Sequence, residues 1–193
     1  MAFNEWNQFD DEEEARHWVS QQMVAPSADS RQWLIFLLDG QPYGLPVSYV
    51  VQMVRHTRIT PIPNLPPFLV GAVNLEGEVI PVMDLRLRFA KPAGKRTDRT
   101  ILIIVCVEHP TGRAEPTGTT LSKQIGLMVD AVSDLLFISN SDLHPPDAAT
   151  TAYTTTNGCS VIMGVVRQPE RVITLLEMDI LLSKEEMIAA IAG

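Results

Sequence analysis

The sequence predicts a mostly β protein made of two copies of one small β-unit, closed as small barrels or as a sandwich. Three observations carry that expectation. From Gln32 onward the chain is a series of short runs rich in Val, Ile, Leu and aromatic residues, punctuated by Gly and Pro. Two blocks of that series recur with identical internal spacing. Helical periodicity is confined to brief pieces and one stretch near the C-terminus. Many short strands at close spacing bury their apolar faces by packing sheet on sheet or by closing a sheet on itself.

Residues 1–31 hold seven acids against Arg16 and Arg31, a net charge of −5, so most of the chain's excess negative charge lies here. The apolar residues Trp6, Phe9, Trp18 and Met23 form no sustained stripe at helical spacing. Residues 11–24 nevertheless suit a short helix whose acids lie at the dipole-favoured N-terminal end. The segment reads as a flexible acidic tail, or as an acidic-aromatic arm that docks on a partner or occupies the protein's own binding surface. Strands are expected over residues 33–38, 43–47, 70–75, 78–83, 100–107, 124–129, 132–138, 161–166 and 172–176, with Asp39-Gly40 and Glu76-Gly77 as tight turns. Brief helices are expected around residues 48–54 and 67–70. A C-terminal amphipathic helix over residues 178–192, with Leu181, Leu182, Met187, Ile188 and Ile191 roughly on one side, would cover a barrel end. Residues 108–123, rich in Thr, Gly and Pro, suit a long exposed hairpin. Residues 61–69 are stiff and apolar, and form either a plug between the two units or a contact surface.

The duplication can be followed residue by residue. Gly44-Leu45-Pro46-Val47 with Val50 and Met53-Val54 matches Gly126-Leu127-Met128-Val129 with Val132 and Leu135-Leu136. Gly71, Val73, Val79-Ile80 and Met83-Asp84 match Gly164, Val166, Val172-Ile173 and Leu176-Glu177. Glycines that recur mark places where a strand turns or approaches another backbone closely, and valines that recur mark buried faces. The repeat therefore reports architecture before it reports function.

Composition removes several functions. The chain has 193 residues, 46% apolar, with a net charge of −8, and a pI near 4.9. It can bury a sizeable core but has no room for an added receiver or kinase domain. A nucleic-acid partner is not expected, because the longest basic cluster is Lys95-Arg96 with Arg99. No apolar run approaches the ~18–20 residues of a membrane span, and the acidic N-terminal stretch lacks a signal peptide's basic and apolar regions, which makes the cytoplasm the expected location. Cys106 and Cys159 read as reduced thiols without a metal-binding spacing. His17, His56, His109 and His144 have no ligand or base spacing to one another, and Asp142 and Asp147 read as turn formers in a proline-rich loop. No nucleophile elbow, phosphate loop or dinucleotide fingerprint is present, so nothing nominates a catalytic residue, a metal or a cofactor.

Residues 43–47 (Tyr-Gly-Leu-Pro-Val), 50–53 (Val-Val-Gln-Met), 59–63 (Ile-Thr-Pro-Ile-Pro), 70–86 and 125–136, in that order, together resemble the CheW domain of bacterial chemosensory coupling proteins, and the likeness spans Gln32 to about Glu186. The resemblance implies two five-stranded SH3-like β-barrels with short helices, intertwined within residues 32–193, and leaves 1–31 as the tail. It also implies no catalysis and no cofactor. The expected role is scaffolding, by contact with the regulatory domain of a CheA-type histidine kinase and with the cytoplasmic tip of a chemoreceptor, which would bring a cytoplasmic protein to membrane-associated arrays without insertion. An accessory array protein that binds without supporting kinase activation, and a small-ligand-binding β-barrel, stand as alternatives.

By the same resemblance, Val47, Val50, Val54, Val129 and Val132 should line a groove between the barrels that receives a receptor helix or a barrel edge of the kinase, with Asn74, Leu75, Glu76 and Gly77 as the turn at its rim. For any one valine, ordinary barrel core is the competing reading. The family usually carries a glutamate in its V-x-E-[IV] block and an arginine in N-L-R-G, whereas this chain has Gln52 and Glu76. Losing an exposed ion pair changes folding by only ~0–1 kcal/mol, but a mismatched charge desolvated at an interface costs ~2–5 kcal/mol. These two positions therefore bear on partner choice, with Arg55 and Arg58 as the nearest cations in sequence on the connecting segment.

Overall fold

The computed structural model describes residues 29–55, 58–108, 122–146, 155–156 and 159–182. The first half contributes β1 (Ser30–Leu38), β2 (Gln41–Pro46), β3 (Val50–Arg55), β4 (Leu69–Leu75) and β5 (Glu78–Asp84). The second contributes β6 (Ile101–Glu108), β7 (Ser122–Val129), β8 (Ala131–Ser139), β9 (Leu143–His144), β10 (Thr155–Thr156), β11 (Cys159–Ser160), β12 (Ile162–Arg167) and β13 (Val172–Leu176). Single helical turns, Leu85–Arg88 and Met178–Leu181, follow β5 and β13. The fold is mostly β, as the spacing of short apolar runs predicts.

The repeat aligns β1 to β5 with β6, β7, β8, β12 and β13, but the two halves do not fold separately. One sheet has the order β8-β1-β2-β13-β12-β9 and the other β3-β6-β7-β5-β4. Each therefore mixes strands of both halves. Parallel pairing of β2 with β13 through Gly44 and Leu175, and of β5 with β7 through Val82 and Gly126, performs the exchange.

Closure of each sheet into a barrel uses one device twice. Beyond β3 the chain returns so that Thr60 pairs with Ala72 of β4, exchanging hydrogen bonds of 2.8 and 2.9 Å. Beyond β8 it turns through Asn140–Asp142 into β9, which pairs with β12. Each closing strand carries a bulge next to its repeated glycine, at Leu69/Gly71 and at Ile162/Gly164. Gly71 has φ 139°, and a Cβ there would stand 2.2 Å from the Thr60 carbonyl oxygen; at Gly164 a Cβ would stand 2.7 Å from the His144 carbonyl oxygen. The repeated glycines are thus where two backbones meet to close the barrel.

The apolar runs at β1 and β6 are continuous because both faces of these strands are buried. Leu34, Phe36 and Leu38 join Ile101, Ile103 and Val105 in the largest core, which lies between the barrels. Trp33 and Ile35 fill one barrel with Ile173 and Leu175, and Leu102 and Ile104 fill the other with Val73, Ile80 and Val82. Each such side chain contributes about 1.5–3 kcal/mol by leaving water.

Two polar clamps tie the halves together, each using the position two residues past the end of a repeated block. Arg86 donates to both carboxylate oxygens of Asp130, from Nε at 2.7 Å and Nη2 at 2.6 Å, and from Nη1 to Asp39 at 3.1 Å. The hydrogen bond to Asp130 holds the guanidinium pKa above its ordinary value. Asp84, buried, caps the Leu85–Arg88 turn by accepting the Arg86 N–H at 2.8 Å, and its burial pushes its pKa up. In the repeat, the Tyr49 hydroxyl donates to Asp179 at 3.0 Å. Asp179 stands two residues past Glu177 as Arg86 stands two past Asp84.

Several elements differ from expectation. The helix expected at 48–54 is only the 3-10 turn Val47–Tyr49, and the rest is β3, whose irregular burial comes from its bulge between Val50 and Gln52. Residues 67–70 are not helical: Leu69 and Val70 begin β4, held by Asp84 N–H donating to the Phe68 carbonyl at 2.8 Å. Strand β1 starts at Ser30, paired with Ser139, so pairing reaches into the segment read as tail. One sheet gains a sixth strand, the two-residue β9. Of the C-terminal helix, only the turn Met178–Leu181 is described; the helix at 11–24, the loop interior 109–121 and His17, His56 and His109 lie outside the described residues.

If Gly71 exists to close the barrel, Gly71→Ala should lose at least about 2 kcal/mol in urea unfolding, whereas Gly40→Ala, where a Cβ meets nothing, should lose only the ~1 kcal/mol of a left-handed alanine. Equal losses would refute the closure argument. Burial and then the Asp179 hydrogen bond push the Tyr49 pKa up to about 12. The unfolded value is near 10, so the stability this tyrosine contributes is intact below pH ~10 and lost as pH rises through the folded value. Tyr49→Phe should reduce the loss of stability between pH 10 and 12 and remove a component near pH 12 from the phenolate absorbance titration.

Candidate functional site

The hairpin joining β4 to β5 is exposed from Glu76 to Val79. Pairing of Leu75 with Glu78 leaves Glu76 and Gly77 as a two-residue turn with φ of 52° and 93°. Such a turn holds both residues at left-handed φ, and its twist matches the right-handed twist of the strands it joins. The Asn74 side-chain oxygen accepts the Gly77 N–H at 3.1 Å and braces it. Asp39 and Gly40 turn β1 into β2 in the same way, with φ of 55° and 73°. Aspartate tolerates that conformation, but glutamate at Glu76 costs about 1 kcal/mol relative to glycine, so backbone preference does not explain it. Leu75 is half-buried against its own barrel's core, and Glu76 and Glu78 are exposed.

The valines assigned to one groove separate into three environments. Val129 is 1% exposed and belongs to the core between the barrels, because its strand β7 is central in its sheet; it offers no surface to a partner. Val47, Val50 and Val132 are half-buried and pack against that same core, so each shows part of its surface at the seam. Val54 packs on the core of the β3–β7 barrel instead. Gln52, half-buried, sits opposite Ile104 immediately after the β3 bulge. The space between the barrels is therefore a filled core, with Val47, Val50 and Val132 each half-buried at its edge.

Sequence reasoning missed Val79, 71% exposed, and Val172, 48% exposed, at equivalent positions of the repeat; Val51 is 50% exposed, and Ile62, in the segment singled out as apolar and surface-like, is 43% exposed. The duplication pairs Val79 with Val172, and an apolar residue kept at both positions next to a turn is the signal that could have found them. The two turn regions differ in charge: the first has Glu76 within it and Glu78 beside it, and the second has Arg167 and Arg171 on either side of Glu170. Arg171 is held by Asp134 at 2.7 Å and by Gln168 at 2.9 Å, while Arg167 is exposed. Residues 61–69 divide in two: Pro61, Ile62, Pro63 and Asn64 are exposed, whereas Leu65 and Phe68 pack against the shared core.

Among the described residues, no three His, Cys, Asp or Glu side chains stand together as metal ligands would. Asp84 is occupied as a helix cap, Cys106 is half-buried and free, and His144 lies exposed on β9. What the molecule presents is surface: a braced acidic turn, a valine seam and scattered exposed aliphatics. No helix of the described residues is long and apolar enough to cross a membrane.

The family model of the CheW-like domain matches residues 32–186. The chemotaxis protein CheW of Klebsiella aerogenes is 29% identical over 165 residues, covering 85% of this chain and 89% of its own. That of Rhizobium meliloti is 31% identical over 161 residues, covering 83% of this chain and 92% of its own. Among solved structures, the scaffolding protein TtCheW from Thermoanaerobacter tengcongensis aligns with a TM-score of 0.63 at 28% identity, covering 82% of this chain and 98% of its own. Two barrels built from a strand-exchanged repeat, matched in sequence from β1 to beyond β13, make this chain a member of the CheW-like domain family.

Proposed function

We propose that this protein is a non-enzymatic cytoplasmic adaptor that couples chemoreceptors to a CheA-type histidine kinase. The observation that carries the reading is the match to chemotaxis CheW proteins and to a scaffolding CheW across almost their whole length. The geometry agrees with an adaptor, because the exposed features are apolar and charged surface on a rigid frame. The regulatory domain of the kinase and the cytoplasmic tip of the receptor are the two partners. Asn74, Leu75, Glu76 and Gly77 with Val79 form one contact, and the Val47, Val50 and Val132 seam with Gln52 forms the other. No cofactor takes part.

Glu76 and Gln52 then act as selectors. With an acid where the family resemblance puts an arginine, the facing partner surface is more basic than usual, and the pair matches a dedicated receptor or kinase. Titration of the full chain against the kinase regulatory domain and a receptor-tip fragment from the same organism should give micromolar or tighter binding to both, with receptor-dependent kinase activation. Binding to one alone, or binding without activation, would replace this reading by an accessory array role. Glu76→Arg should leave stability within about 0.5 kcal/mol, as at most surface positions, yet weaken binding to the cognate partner about tenfold. Unchanged affinity would remove Glu76 from partner selection.

A further inference from the structure

An acidic chain carries one strongly basic island. Residues 85–100 hold six Lys or Arg against Asp98, a net charge of +5, in a chain whose net charge is −8. The island's first cations are engaged: Arg86 by Asp130 and Asp39, and Arg88 over the Phe68 ring at 5.3 Å. The rest are not. No ion pair among the described residues involves Lys91, Lys95, Arg96 or Arg99, and Lys95, Arg96 and Arg99 are exposed. The loop bearing them is anchored. The Lys91 N–H donates to the Arg86 carbonyl at 2.8 Å, a Cβ on Gly94 would stand 2.8 Å from Arg86 Nε, and the Thr97 N–H donates to the Thr100 hydroxyl at 2.9 Å.

The complementary charge is in the same chain. Residues 1–31 carry a net −5, concentrated in Asp10, Asp11, Glu12, Glu13 and Glu14. This run lies about 15 residues ahead of Asp29, a length that extends to about 50 Å and has a root-mean-square span of about 20 Å as coil. Strand β1 has nine residues, or about 30 Å, and its far end delivers Asp39 to Arg86 beside the loop. The acidic run can therefore reach the island, at an effective concentration near millimolar that no separate acidic partner matches without comparable affinity. We infer that residues 10–14 dock intramolecularly on the basic loop at residues 91–99, forming a salt-sensitive latch on the edge of the Arg86–Asp130 clamp. This assignment is independent of the coupling role, and it places the acidic arm on a basic surface of its own chain instead of on the acidic hairpin tip.

Carbodiimide cross-linking of the full chain tests it, because the reagent joins a carboxylate to a lysine amine in contact with it and the chain has four lysines, Lys91, Lys95, Lys123 and Lys184. Mass spectrometry should find peptides containing residues 10–14 joined to Lys91 or Lys95, at several times the yield to Lys123 or Lys184. The yield should fall severalfold at 0.5 M NaCl, where screening shortens to roughly 4 Å. It should fall likewise in the double variant Arg96→Glu/Arg99→Glu, which keeps both lysines and whose melting curve checks the fold. Glu12→Gln/Glu13→Gln/Glu14→Gln, changed ahead of β1, should lower the remaining links from Asp10 and Asp11. Links that are absent, that favour Lys123 or Lys184, or that persist in Arg96→Glu/Arg99→Glu would overturn the latch. In a mixture of isotopically light and heavy protein, links joining light to heavy chains would overturn its intramolecular form.

Discussion

The burial of both faces of β1 and β6 is the constraint on which the rest of this structure depends. An isolated barrel would bury one face of each strand and leave Leu34, Phe36 and Leu38, or Ile101, Ile103 and Val105, in water. Packing the two barrels on each other removes that surface, and the shared core it forms is the largest in the molecule. Strand exchange makes the arrangement obligatory, because β8, β12 and β13 complete the barrel begun by β1 and β2, and β3, β4 and β5 complete the one containing β6 and β7. A chain built this way has little freedom between its barrels, which suits a part that holds other proteins in fixed relation.

Around that core, the repeat uses one solution for backbone and another for polar groups. Gly71 and Gly164 let a returning strand close each barrel, since any side chain there would collide with a facing carbonyl. The polar clamps share one equivalent position, Arg86 and Asp179, and are unlike in chemistry. Arg86 with Asp130 is a bidentate ion pair, stronger and more direction-specific than the single neutral-to-charged hydrogen bond from Tyr49 to Asp179. The two barrels have thus kept the frame and diverged in what decorates it.

The same divergence separates the surfaces. One turn region carries only acids, Glu76 and Glu78, beside Val79, whereas the other carries Arg167, Glu170 and Arg171 beside Val172, with Arg171 paired to Asp134. An apolar residue with charged neighbours gives a contact both area and a choice of charge, and the charge pattern differs between barrels. The basic loop after Arg86 adds a third surface whose natural complement is the chain's own acidic arm.

The mostly β fold, both tight turns, the duplication and the family resemblance were legible in the residues themselves. Those signals are local or periodic: alternation and turn chemistry act over a few residues, and a repeat is visible wherever it is spaced regularly. Bent edges were less legible, as at β3, where a bulge breaks the alternation and only pairing to β6 identifies a strand. Only the tertiary structure decided which valines are surface. Val129 and Val132 read alike in sequence, yet one is sealed in the shared core and the other stands at its seam, because burial depends on which sheets face each other. It also decided the clamps, whose partners lie 44 and 130 residues apart, a separation at which no local pattern reveals that an arginine and an aspartate, or a tyrosine and an aspartate, will meet.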